Sequence, residues 1–172
     1  MNGEKVSSRN GADSGLESKA GKYLTFRLGK EEYGLEIMKV VEIIGLMEIT
    51  TVPRTPDFVR GVINLRGKII PVIDLRRKFE LPSKEDTERT CIIVVQIDQS
   101  VSQVTMGVIV DDVSEVVNIR AEQIEPTPSF GANVNTDFIL GVGQVGKNVI
   151  MLLDIGKILS FEEIRLIDQV SH

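Results

Sequence analysis

The sequence predicts a mainly β protein, two small barrels packed against each other and closed by a C-terminal α-helix. Gly61 to Phe79 reads GVINLRGKIIPVIDLRRKF, and eighty positions on Gly141 to Leu159 reads GVGQVGKNVIMLLDIGKIL with no gap between them. Asp57-Phe58 before the first copy meets Asp137-Phe138 before the second, and Ile70 and Asp74 fall on Ile150 and Asp154. A second block agrees: YGLEIMKVVEII (Tyr33 to Ile44) matches MGVIVDDVSEVV (Met106 to Val117) through Gly34/Gly107, Val40/Val113 and Glu42/Glu115. The blocks keep their order in both halves, so the chain carries one β unit twice. Apolar residues also come in short runs broken by turn residues, the pattern of many short strands and not of a parallel α/β sheet. A duplicated β unit has a seam between its copies, and a seam is a place to bind.

Each element follows in order. Met1 to about Gly21 is polar, rich in Gly and Ser and without periodicity, so residues 1–21 are expected to be a disordered tail. KYLTFRL, a turn at Gly29-Lys30-Glu31-Glu32, and YGLEI predict a hairpin. MKVVEIIGLMEI fits either a strand or a helical turn, and TVPRTP (Thr51 to Pro56) then breaks regular structure because proline lacks a backbone donor. GVINL and IIPVIDL predict two strands joined at Arg66-Gly67, where glycine supplies the positive φ of a tight turn. Pro71 suggests an edge position or a strand end. Asp74 and Asp154 are placed to cap the short LRRKF and IGKIL turns, a structural role preferred here over a catalytic one. LPSKEDTERT (Leu81 to Thr90) is a charged connector, after which CIIVVQI, VTMGVIV and the glycine-rich pair repeat the programme. Ser160 with Glu163 makes a capping box, and Phe161, Ile164, Ile167 and Val170 mark one face of a closing helix. The expected organisation is a folded unit over residues 22–160, in two pseudo-repeated subdomains of about 22–85 and 88–160 with strand exchange at the seam allowed. Residues 161–172 are then the C-terminal helix and tail.

Composition narrows the function. At 172 residues the chain can bury a real core. The single cysteine, Cys91, cannot make an internal disulfide; it sits in the apolar run CIIVV, so a reduced setting and a packing role are expected. No apolar stretch approaches the roughly 20 residues that span a bilayer, and the N-terminus lacks the apolar segment of a signal peptide, so neither membrane insertion nor export is expected. A net charge of −5 with no tryptophan argues against a nucleic-acid surface.

The usual parts of catalysis are missing from the sequence. The one histidine is His172, the last residue, which leaves no imidazole for a general base, a triad or a metal shell. Asp111-Asp112 are adjacent, so in a strand their carboxylates point to opposite faces; they read as a solvated strand end. GVGQVG (Gly141 to Gly146) fits the dinucleotide fingerprint, but that fingerprint needs a helix opening at the glycines, and KNVIMLLD reads as a β run aligned with KIIPVID. No enzyme activity, cofactor or metal is expected. The competing classes are a dinucleotide enzyme and a β-barrel interaction module of another kind, and nucleotide titration separates the first.

TPDFVRGVINLRGKIIPVIDLRRKF (Thr55 to Phe79), preceded by GKEEYGLEIMKVVEI (Gly29 to Ile43), strongly resembles the CheW family of chemotaxis coupling proteins. GVIVDDVSEVV, AEQIEPTPSF (Ala121 to Phe130) and SFEEIRLID extend the resemblance from about Tyr23 to Ile167. It implies two five-stranded SH3-like barrels with a hydrophobic interface. It also implies a non-catalytic adaptor that joins the cytoplasmic tip of methyl-accepting chemoreceptors to the regulatory domain of the histidine kinase CheA, cytoplasmic and recruited to membrane-associated receptor arrays. CheW-like domains occur within CheA and CheV too, but the chain has no room for a kinase core or a receiver domain, so a free-standing adaptor is expected.

The resemblance assigns a receptor-facing groove to Val40, Glu42, Gly61, Arg66 and Val116. Arg66 leads: a guanidinium at a glycine turn can grip a carboxylate bidentately, with Glu42 as its partner, and the alternative is a purely structural ion pair. Val40 and Val116 either line the inter-barrel seam for an amphipathic receptor helix or pack in the core. Ile43 and Val52 are assigned to the kinase-facing surface of the first barrel. Phe130, in PTPSFGANVNT, is an aromatic anchor for a second kinase contact or a plug at the barrel end. Many relatives carry a basic residue before that loop's first proline; Glu125 stands there instead, which weakens a charge-assisted contact at that point.

Overall fold

The computed structural model describes residues 17–98, 103–128 and 136–170. β1 (Gly21–Leu28) and β2 (Glu31–Glu36) form the first hairpin, turning where Gly29 takes a φ of 65°. The ambiguous stretch after it contains both alternatives, a 3-10 turn at Ile37–Lys39 and then β3 (Val40–Gly45). β4 (Val59–Leu65), β5 (Lys68–Asp74) and the short α1 (Leu75–Lys78) complete the first copy. The second copy runs through β6 (Cys91–Asp98), β7 (Gln103–Val110), β8 (Asp112–Ile119), the short β9 (Ile124–Glu125), β10 (Ile139–Val145) and β11 (Asn148–Leu153). α2 (Ile155–Ile158) and α3 (Phe161–Val170) follow. The protein is mainly β in two sheets, ordered β8-β1-β2-β11-β10-β9 and β3-β6-β7-β5-β4.

The sheets cut across the two halves of the chain. β1 and β2 lie in the sheet of the second half, while β6 and β7 lie in the sheet of the first. Each sheet therefore draws strands from both segments, 22–85 and 88–160. The exchange is made by antiparallel pairings of β1 with β8 and of β6 with β3, and by two matching parallel ones. β5 lies beside β7 with Val72 opposite Gly107, and β11 lies beside β2 with Leu152 opposite Gly34. Glycine fits closely at both crossings: a Cβ at Gly107 would lie 2.7 Å from Ile92 Cγ2, too near to stand without a shift, and one at Gly34 3.2 Å from Leu152 Cδ2, a tight contact with the end of a side chain. Each sheet also returns on itself. β9 follows β8 in the chain, yet the two occupy opposite ends of the first sheet; in the second, Thr50 just after β3 bridges Val62 of the far strand β4. Strand orders that begin and end on neighbouring segments fit the paired SH3-like barrels.

The largest hydrophobic cluster joins the two sheets, with Leu24, Phe26 and Leu35 from one meeting Ile73, Ile93 and Met106 from the other. Smaller clusters fill each barrel, around Val72 and Ile92 in one and around Tyr23 and Leu152 in the other. Each fully buried Leu, Ile or Val contributes roughly 1.5–3 kcal/mol, so the seam is a core and only its rims are open. The caps hold as drawn from sequence. Asp74 Oδ1 accepts from the Arg76 amide at 3.0 Å, Asp154 Oδ1 from the Gly156 amide at 3.1 Å, and Ser160 and Glu163 cap each other's amides.

Two expectations need correction. Pro71 is on an interior strand; it is tolerated because β7 pairs with β5 only from Val72 onward, so no inter-strand donor is missed there. Asp111 is not a solvated strand end. It is the crossing residue between β7 and β8, its side chain 11% exposed, and it accepts from Arg76 Nε at 2.7 Å, Arg76 Nη2 at 2.5 Å and the Gly29 amide at 2.7 Å. No short-range pattern announces that partner, which is 35 residues away.

Candidate functional site

The site is built at the tip of the β4–β5 hairpin. Arg66 and Gly67 both take positive φ, 53° and 89°, and the Gly67 amide donates to Asn64 Oδ1 at 2.8 Å. That is the tight turn whose twist suits a hairpin. The second copy places Gly146, φ 62°, where the first has Arg66. An L-residue in this region costs on the order of 1–2 kcal/mol, so arginine stands where the fold by itself favours glycine.

The Arg66 side chain is 70% exposed, and one of its nitrogens, Nη2, donates to Glu42 Oε1 on β3. The expected pairing with Glu42 is present, through one nitrogen and not through the bidentate fork. β3 and β4 lie at opposite ends of their sheet, so the pair spans its closure. Exposed ion pairs are worth about 0–1 kcal/mol, too little to matter much for folding but enough to bias the direction of an otherwise free guanidinium.

The other sequence-predicted residues separate by environment. Gly61 is buried, and a Cβ there would lie 2.1 Å from the Thr50 carbonyl oxygen, so it shapes the rim by letting the 49–50 segment bridge β4. Val40 is half-buried and packs on the central core. Val116 is 50% exposed on the edge strand β8. A bulge precedes it, held by the buried Thr25, whose Oγ1 accepts from the Glu115 amide at 3.1 Å and donates to the Glu115 carbonyl at 2.8 Å. Ile43 is 43% exposed on the edge strand β3. Val52 is half-buried, its carbonyl accepting from Thr55 Oγ1 at 2.9 Å. Phe130 lies outside the described residues.

Sequence reasoning missed part of the apolar surface beside Ile43. Met38, in the 3-10 turn before β3, is 93% exposed and Val41 on β3 53%, which with Ile43 makes an apolar patch exposed among the described residues. The alternation in VVEII carried the signal, but it does not say which face is outward. The copies repeat the feature: Ile43 and Val116 hold matching positions, as do Ile69 and Val149, and all four are exposed. Among the described residues no group of His, Cys, Asp and Glu could hold a metal ion. Gly141 and Gly143 lie within β10 and Gly146 turns into β11, so no helix opens toward a phosphate there.

Two barrels with exchanged strands, a braced guanidinium tip and uncovered apolar edges define a protein-binding module. The pattern of the CheW-like domain matches residues 22–163. The chain is 45% identical over 149 residues to the chemotaxis protein CheW of Klebsiella aerogenes, covering 87% of each chain. It is 34% identical over 140 residues to the chemotaxis protein CheW of Rhizobium meliloti, covering 81% of this chain and 88% of that one. The crystal structure of the scaffolding protein TtCheW from Thermoanaerobacter tengcongensis superposes with a TM-score of 0.73 at 35% identity, over 84% of this chain and 95% of that one. The chain belongs to the CheW family of chemotaxis scaffold proteins, which are non-catalytic adaptors. No helix among the described residues is long and apolar enough to cross a membrane.

Proposed function

We propose that the protein couples the cytoplasmic tip of methyl-accepting chemoreceptors to the regulatory domain of the histidine kinase CheA, in the cytoplasm and within receptor arrays. The observation that carries the reading is Arg66, an exposed guanidinium in a left-handed turn braced by Glu42. In this reading the receptor meets a rim formed by Val40, Glu42, Arg66 and Val116, with Gly61 setting the rim's shape. Ile43, Val52 and Phe130 face the kinase. The coupling is positional: a receptor changes kinase activity through contacts that differ between its signalling states. Individual contacts can be weak, since an array supplies multivalency.

The test is co-precipitation of the full chain with a receptor cytoplasmic fragment and a CheA regulatory domain. Arg66→Ala should weaken receptor capture while leaving kinase capture and the fold in place. Receptor-dependent kinase stimulation at wild-type level by Arg66→Ala would remove Arg66 from the account.

A further inference from the structure

None of the seven described residues assigned above lines a second open trough, at another end of the molecule. That trough lies past the far end of β5 from Arg66, a strand length of roughly 20 Å at 3.3 Å per residue. It consists of two adjoining cavities that share Lys78, Glu80 and Leu81 as walls. One, about 450 Å³, is apolar and lined by Tyr33, Phe79, Phe138, Ile139, Met151 and Leu153, which brings β2, β10 and β11 against the end of α1. Its aromatic rings stand in a row, Tyr33 5.8 Å from Phe79 and Phe79 5.3 Å from Phe138. The other, about 700 Å³, is polar and holds Asp57, Arg77, Lys78 and Glu163.

Glu80 is the wall between them and has an unusual backbone. It follows α1 at the position where helices turn left-handed, with a φ of 57°, while the Leu81 amide donates back to the Arg76 carbonyl at 2.8 Å. Glycine is the usual residue there because a side chain is strained. A glutamate in that place points to a use for its carboxylate.

The charges say what that use is. Lys78 is taken: its Nζ holds both oxygens of Glu163 at 2.8 Å and lies 4.7 Å over the Phe58 ring. Arg77 is engaged by Asp74 at 3.8 Å and donates to the Asp57 carbonyl at 3.2 Å. Glu80 and Asp57 are exposed, and their carboxylates have no ion-pair partner among the described residues. The unspent charge among the described residues of the trough is negative, beside an aromatic cavity that is open as far as the described residues go.

We propose that this trough docks a basic, apolar-anchored peptide segment of a partner protein. One aromatic or long aliphatic side chain enters the Tyr33–Phe79–Phe138 cavity, and flanking Lys or Arg residues meet Glu80 and Asp57. Two cavities on either side of a charged wall suit an extended segment with alternating chemistry better than a single small molecule. This surface is separate from the Arg66 tip, so both can be occupied together.

The test titrates the isotopically labelled full chain with the peptide Ac-KKFLKK-NH2 and, in parallel, Ac-EEFLEE-NH2, following methyl signals by NMR. The basic peptide should give saturable shifts at Met151 and Ile139 and none at Val40 or Val116, with the acidic peptide weaker by about tenfold or more. Glu80→Lys should weaken the basic peptide by a similar factor. Glu80→Gly, which relieves the left-handed strain, should weaken it as well while leaving the thermal midpoint unchanged or raised. Arg66→Ala should leave the titration as it is, which separates this surface from the receptor reading. The proposal is overturned by unsaturable or absent shifts at the cavity, by equal response to both peptides, by a wild-type titration with Glu80→Gly, or by loss of the signal in Arg66→Ala.

Discussion

Arg66 occupies a backbone conformation that its counterpart in the second copy gives to Gly146, and the difference is the side chain it displays. Arg66→Gly should therefore fold with a stability within about 1 kcal/mol of wild type by urea titration, because relief of strain offsets the lost pair and the more flexible unfolded chain. Gly61 behaves in the opposite way. A methyl group there would meet the Thr50 carbonyl oxygen at 2.1 Å on a backbone with φ of 144°, so Gly61→Ala should cost at least about 3 kcal/mol or prevent folding. Gly141→Ala should cost less, since the nearest atom is the Ile124 side-chain Cγ2 at 2.8 Å, with the Glu125 carbonyl oxygen at 3.0 Å. Thermal melts of the two variants side by side check the order. A Gly61→Ala variant as stable as wild type would contradict the close bridge between Thr50 and Val62.

At the scale of elements, the crossing from β7 to β8 is pinned by Asp111. Burial alone would raise its carboxyl, but the Arg76 guanidinium, the Gly29 amide and Lys84 outweigh burial and hold it below the ordinary value of 3.8. A depressed folded value means that the stabilisation is complete above the ordinary carboxylate range and is lost as pH falls through the folded value. Urea midpoints should then show wild type ahead of Asp111→Asn near neutrality, with the gap closing in acid; a gap independent of pH would refute the ion-pair role. Ser160→Ala should cost about 1 kcal/mol, because it removes one half of a reciprocal cap on α3. These devices differ in how far sequence reveals them. The Ser160/Glu163 box, the Asp74 cap and the Arg66-Gly67 turn are local, so residue type and spacing suffice. The bulge before Val116 depends on Thr25, and Asp111 depends on Arg76; both join distant segments and leave no periodic trace.

For the whole molecule, the duplication is legible because matched glycines and aspartates survive eighty positions apart, whereas the exchange of hairpins between sheets is allowed by the sequence but not chosen by it. A β hairpin shows the same alternation whichever sheet it joins, and long-range pairings decide it: β1 beside β8 and β2 beside β11 for one hairpin, β6 beside β3 and β7 beside β5 for the other. With β1–β2 and β6–β7 each embedded in the other half's sheet, neither half can unfold alone. Urea unfolding followed by circular dichroism and by hydrogen exchange at Val72 and Leu152 should give one coincident transition; two separable transitions would contradict the shared core. The candidate site was legible in part for the same reason. Arg66 and Glu42 were named from the family resemblance and meet in space, whereas the outward face of β3 awaited the fold. The proposed function has this scaffold grip a receptor through an exposed, pre-oriented guanidinium and not through its packed seam. Equilibrium titration of a receptor cytoplasmic fragment against wild type and Arg66→Gly, both verified as folded, tests it most directly. The account predicts an affinity loss of about tenfold or more with an unchanged melt, and equal affinities would contradict it.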